Sequence, residues 1–135
     1  MNLIHGLLRR DPAKPFSVTF EELMAQMETF EFMFAELDGS FVWRGFMDSE
    51  SGTSTAPTPV WQIDGVIGEQ MGAVAEIDCK LQFENSARDS IVSALGQLTA
   101  ALDTAAESCR FHHLQTGEAE NLAELLKQIS DPTRE

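Results

Sequence analysis

Two groups of side chains in this sequence are of the types that do chemistry. Cys109, His112 and His113 form the one soft-ligand cluster, spaced Cys-x-x-His-His. A helix ending there could offer two ligands to a zinc ion, with Glu107 nearby. A structural zinc needs four ligands and a catalytic one usually three, and the sequence supplies no second cluster. The plainer reading is favoured: Cys109 completes a helical seam and the imidazoles sit at the negative helix C-terminus. His5 stands apart from any such group.

The second group is acidic. If two strands pair so that Ile67 faces Ala73, Asp64 lies directly opposite Glu76 with Asp78 diagonal to it. Opposed carboxylates repel. Such a cluster could hold a divalent cation through oxygen ligands, attract a basic protein partner, or raise one carboxyl pKa for acid–base work. Against this stands a solvated face partly neutralised by Lys80. The pattern places no nucleophile or histidine near, so an enzyme built on these residues would need metal assistance. The remaining signatures are missing: there is no phosphate-binding glycine loop, CxxC, HExxH or GxSxG. Asp48-Ser49-Glu50 begins like a calcium loop, but Gly52 falls at a ligand position and no glutamate closes it. No cofactor is expected, and the balance leans away from an enzyme.

The bulk properties narrow the classes further. The chain has 135 residues, enough for one domain, and carries 22 Asp+Glu against 9 Lys+Arg for a formal charge of -13. At 43 % hydrophobic it is too apolar for a disordered acidic tail. Nucleic-acid binding would need clustered bases that it lacks. No segment approaches the roughly 18–20 apolar residues of a membrane span. Arg9-Arg10 follows a short apolar patch where a signal peptide would have it precede one, so a cytoplasmic location is expected. Cys79 and Cys109, far apart, are expected as reduced thiols.

The elements must position these groups. Leu3, Ile4, Leu7 and Leu8 suggest a short amphipathic helix over 2–9, within a loosely attached segment 1–16. Thr19-x-x-Glu22 is a capping box that starts a helix at Phe20. That helix either extends through Phe30 and Phe34 to Gly39 or stops near Met27 before a strand at Thr29. Asp38-Gly39, a strong two-residue hairpin signal, favours the strand. Leu37 then faces Ser40, Phe34 faces Trp43 and Phe30 faces Met47. Phe30, Phe32, Phe34, Phe41 and Trp43 share an inner face. Met33, Val42 and Phe46 lie on the outer one between Glu31 and Arg44, an apolar patch with a polar rim such as interfaces use.

Residues 48–59, rich in Ser, Thr, Gly and Pro, read as a flexible loop. A second hairpin follows, 60–67 and 73–83 around a five-residue loop, with Ile77, Cys79, Leu81 and Phe83 facing in. Asn85 or Ser86 caps a long helix whose seam runs Ile91, Leu95, Leu98, Leu102, Ala105, Cys109. A last helix spans about 118–129, and 131–135 form a tail.

The fold expected is α+β in a single domain, 1–135. A four-stranded antiparallel sheet from hairpins at about 29–47 and 60–83 carries a short N-terminal helix and two C-terminal helices packed on one face. The function expected is a small acidic, non-enzymatic interaction module, adaptor or chaperone-like, that forms a homodimer. The other reading is a small-molecule or divalent-metal protein using Asp64, Glu76 and Asp78.

Overall fold

Alternation of side chains between two faces organises more of this chain than helical periodicity does. The computed structural model describes residues 2–10, 15–46 and 58–131. The elements run β1 (Asn2–Arg10), α1 (Phe20–Met27), β2 (Met33–Ala35), β3 (Ser40–Gly45), β4 (Trp61–Gln70) and β5 (Ala73–Phe83). They continue with α2 (Arg88–Ala101), β6 (Cys109–His113), β7 (Ala119–Asn121) and α3 (Leu122–Ser130). All seven strands join one antiparallel sheet in the order β2-β3-β4-β5-β1-β6-β7. The α+β class stands, but the four-stranded sheet is replaced by one of seven strands.

The largest correction is at the N-terminus, where the expected short helix is β1, paired with β5 on one side and β6 on the other. Leu3, Ile4, Leu7 and Leu8 satisfy both periods. In the strand, Ile4, Gly6 and Leu8 point one way and Leu3, His5, Leu7 and Arg9 the other. Two turns of isolated helix are marginal in water, whereas this strand is hydrogen-bonded along both edges. Gly6 fits that place: a Cβ there would come within 2.4 Å of the Phe111 ring.

The first hairpin exists with a different register. Its loop has three residues, Leu37, Asp38 and Gly39, closed by Glu36 N–H donating to the Ser40 carbonyl at 2.9 Å. Gly39 takes φ 93 and donates to the Glu36 carbonyl at 3.0 Å, a turn finished by a left-handed residue. Asp38 Oδ1 accepts from the Ser40 hydroxyl at 2.6 Å and N–H at 2.9 Å, which holds its carboxyl below the ordinary range. One extra loop residue shifts the register by one and exchanges the faces of the incoming strand. Phe34 therefore pairs with Val42 instead of Trp43 and is 59 % exposed, while Met33 turns to the helix side. Phe30 and Phe32 precede the strand, in the turn. Phe30 still stacks on Trp43 at 4.8 Å. Met47, its expected partner, lies outside the described residues, as do 48–57 of the expected loop and 132–135 of the tail.

The second hairpin is deeper than expected. β4 continues to Gln70 through a bulge after Gly68, and Met71-Gly72 make a two-residue turn with φ 54 and 86. Ile67 accordingly pairs with Ile77, not Ala73.

The capping box at α1 is present: Thr19 Oγ1 accepts from Glu22 N–H at 3.1 Å, and Glu22 Oε1 from Thr19 N–H at 2.9 Å. In α2 the seam residues Ile91, Leu95 and Leu98, and Leu102 at its C-cap, are buried as expected. Asn85 and Ser86 lie instead in a 3-10 turn before it, and Ala87 is its N-cap. The helix ends at Ala101 because Asp103 adopts φ 55. The continuation of the seam to Cys109 is thus interrupted, and Cys109 enters the core from β6. The last helix starts at Leu122, four residues later than expected, with Asn121 Oδ1 accepting from Ala123 N–H.

One core unites the sheet and all three helices. Leu8, Trp43, Ile63, Ile77, Leu81 and Phe111 of the sheet meet Leu23 and Met27 of α1, Ile91 and Leu98 of α2, and Leu125 and Ile129 of α3. Close packing at that layer needs Gly65, where a Cβ would lie 2.2 Å from the Phe41 ring. Among the described residues no helix is long and apolar enough to cross a membrane.

Candidate interaction surface

Since the helices gather on one side of the sheet, side chains of the opposite parity form a second, uncovered face. Its ladder rows read Phe34, Val42, Asp64, Lys80, His5 and, one strand over, Val66, Asp78, Leu7, His112. Leu3, Phe34, Val66 and Leu114 are exposed there, each between 45 % and 59 %. Among the described residues the strands of this face hold Arg9, Arg44, Lys80 and Arg110 against Asp64, Glu76 and Asp78, and Glu36, in register with Ser40 just beyond β2, adds a fourth acid at its edge. Four of the nine bases thus share it with four of the 22 acids, leaving eighteen acids and five bases for the rest of the chain. A strongly acidic protein has kept one face close to neutral.

The charges on this face are matched locally. His5 Nε2 meets Asp78 Oδ1 at 2.8 Å, and Arg9 Nη2 meets Glu76 Oε1 at 2.9 Å. Arg44 Nε donates to Gln62 Oε1 at 3.1 Å, and Gln62 Nε2 passes the chain on to Asp64 Oδ2 at 3.0 Å. His112 is held below the usual imidazole range, first by desolvation and then by Arg9 and Arg110 beside it.

The observed register moves Glu76 away from Asp64 but keeps Asp78 on its diagonal. Asp64 pairs with Lys80, Asp78 with Val66 and Glu76 with Gly68. Asp64, Glu76 and Asp78 each face a different partner, Gln62, Arg9 and His5. Among the described residues no group of three or more His, Cys, Asp or Glu comes together in a way that could hold a metal ion. The Cys-x-x-His-His run is likewise divided, because successive strand residues alternate. Cys109 is buried in the core, where desolvation raises its thiol pKa, and His112 looks out on the open face. His113 pairs on the helix side with Glu120, whose Oε1 also accepts from Gln128 Nε2 at 3.1 Å. Of the expected patch, Val42 lies on the open face, Met33 on the helix side, and Phe46 stands edge-on to Phe32 at 4.8 Å.

No family model matches the chain, and neither a curated protein nor a solved structure proves similar to it.

Two features escape the sequence reading. The first is the contribution of β1 and β6 to the open face, for which the alternation Leu3, His5, Leu7, Arg9 was the available signal. The second is a cleft of about 580 Å³ between the β2–β3 end of the sheet and α2. Phe30, Trp43 and Trp61 line it opposite Ser90, Ser93 and Gln97. It offers aromatic rings beside hydroxyl, amide and charged groups, with Glu31, Arg44 and Asp89 also in its lining, and its described lining contains no histidine or cysteine. None of the three carboxylates Asp64, Glu76 and Asp78 reaches it.

Proposed function

We propose that this protein is a non-enzymatic interaction module, adaptor or chaperone-like in role, that self-associates through the open face of its sheet. The observation that carries the reading is the near-neutral, half-apolar face on a chain of charge -13. Two copies meeting anywhere on the remaining surface would oppose like charge, which costs association free energy. Meeting through this face avoids that penalty, and a twofold axis would let each copy's bases approach the other's acids. Six inter-strand gaps of about 4.8 Å and central strands about 30 Å long give the face on the order of 800 Å², the share each partner supplies to a standard interface. Cys79 and Cys109 are both unpaired and buried, which supports a reducing compartment such as the cytoplasm.

Native mass spectrometry of the wild type and of Val66→Glu tests the reading. Val66 is in a central strand and 52 % exposed, so a charge there meets solvent in the monomer and the other copy in the dimer. The wild type is expected as a dimer and the variant as a folded monomer. Met71→Glu, at a fully exposed turn, is expected to leave the dimer intact. A monomeric wild type, or a dimer indifferent to Val66→Glu, would overturn the proposal.

A further inference from the structure

The open face is not the sole place where this fold offers itself to a partner. β2 is an edge strand, and among the described residues no strand pairs with its outer side. Arg44 N–H donates to the Phe32 carbonyl at 3.2 Å and Glu36 N–H to the Ser40 carbonyl at 2.9 Å. Those bonds fix the even-numbered residues as the ones hydrogen-bonded to β3. By antiparallel alternation the N–H and C=O groups of Met33 and Ala35 point outward, away from the sheet. Beside them a groove of about 530 Å³ follows this edge, lined by Met24 and Met33 from the helix side and by Phe34 and Val42 from the open face, with Glu28 and Glu36 also in its lining.

We infer that this edge is a docking site for a short extended segment of another protein, apolar at its centre and flanked by Lys or Arg. The segment adds an eighth strand, taking the outward amides and carbonyls of Met33 and Ala35 as its hydrogen-bond partners. The flexible thioethers of Met24 and Met33 adapt to the apolar side chains that enter the groove. Charge selects the flanks: Glu28 and Glu36 line the groove and no Lys or Arg does, while the nearest base, Arg44, lies over the Phe34 ring. The same charge balance excludes a second copy of this chain as occupant, because two such edges would bring like charges together. The site borders the open face, sharing Phe34 and Val42 with it, but does not need the dimer in order to form.

The test uses the full-length protein and a short synthetic peptide with a Val-rich centre flanked by Lys. Its control is the same peptide with the central amides N-methylated, which keeps charge and side chains but cannot pair as a strand. Calorimetry is expected to show binding of the first peptide, and loss of two backbone hydrogen bonds should weaken the second about tenfold or more. In hydrogen exchange, the Met33 and Ala35 amides should slow on binding. Replacing both Glu28→Gln and Glu36→Gln should weaken binding several-fold, whereas Glu107→Gln with Glu118→Gln should not. No binding, equal binding of the two peptides, or unaltered exchange at Met33 and Ala35 would each overturn the inference. The Val66→Glu variant should bind the peptide at least as tightly as the wild type does, so failure here and failure of the dimer are told apart.

Discussion

At the scale of single residues, the chemistry available to this chain is muted by its surroundings. Cys79 is fully buried, and desolvation, with a smaller contribution from Asp78, pushes its thiol up to about 12. It acts as a small apolar side chain. His112 is the residue whose environment moves it in the other direction. Burial and the guanidinium groups of Arg9 and Arg110 hold its pKa below that of an unfolded histidine. On acidification the unfolded chain therefore takes up this proton before the folded one does, so folded stability falls as pH drops through the ordinary imidazole range. Urea unfolding at neutral and mildly acidic pH should show a larger loss for the wild type than for His112→Gln. An identical pH dependence in the two would contradict this placement of His112. Gly65 is the clearest steric constraint, because a Cβ there would lie 2.2 Å from the Phe41 ring. Gly65→Ala should cost about 1–3 kcal/mol of stability by overpacking, measured by the same unfolding experiment.

At the scale of elements, turns determine which face each strand presents. Met71 holds φ 54 in a two-residue turn and is fully exposed, so its left-handed backbone brings strain without a compensating contact. Met71→Asn should stabilise the fold by roughly 0.5–1 kcal/mol, since Asn suits this turn position; a neutral or destabilising result in thermal melting would argue against the turn. The same turn shows what could be read from the sequence. The strands β4 and β5, their inward residues Trp61, Ile63, Ile77 and Leu81, the Thr19–Glu22 capping box and the first four seam residues of α2 were all legible locally. Their pairing was not, because Gly68 and Gly72 both look like loop ends and only the bulge after Gly68 carries the strand through. That four-residue offset replaces Glu76 by Lys80 opposite Asp64. In the first hairpin one extra loop residue sends Phe34 outward and Met33 inward. β1 was missed because its apolar spacing fits two periods, and the choice between them comes from distant partners, β5 and β6. The helix of 88–101 stops where Asp103 turns left-handed, a conformation that the apolar pattern does not announce.

At the scale of the whole molecule, a seven-stranded sheet is covered on one side, and its charge is distributed to match. The side bearing α1, α2 and α3 closes one continuous core. The uncovered side combines exposed Leu3, Phe34, Val66 and Leu114 with nearly balanced charge, on a chain that is otherwise strongly acidic. Under the proposed self-association, that asymmetry leaves one surface on which two copies can meet without electrostatic penalty. The carboxylates Asp64, Glu76 and Asp78 contribute to this balance as matched partners of Gln62, Arg9 and His5. The most direct test is covalent footprinting of the wild-type protein over a range of concentrations. As the protein associates, labelling should fall at Leu3, Val66 and Leu114, while Leu37 and Met71, which lie at turns, should keep theirs. Association with unaltered labelling of the open face, or no association at any concentration, would contradict the account.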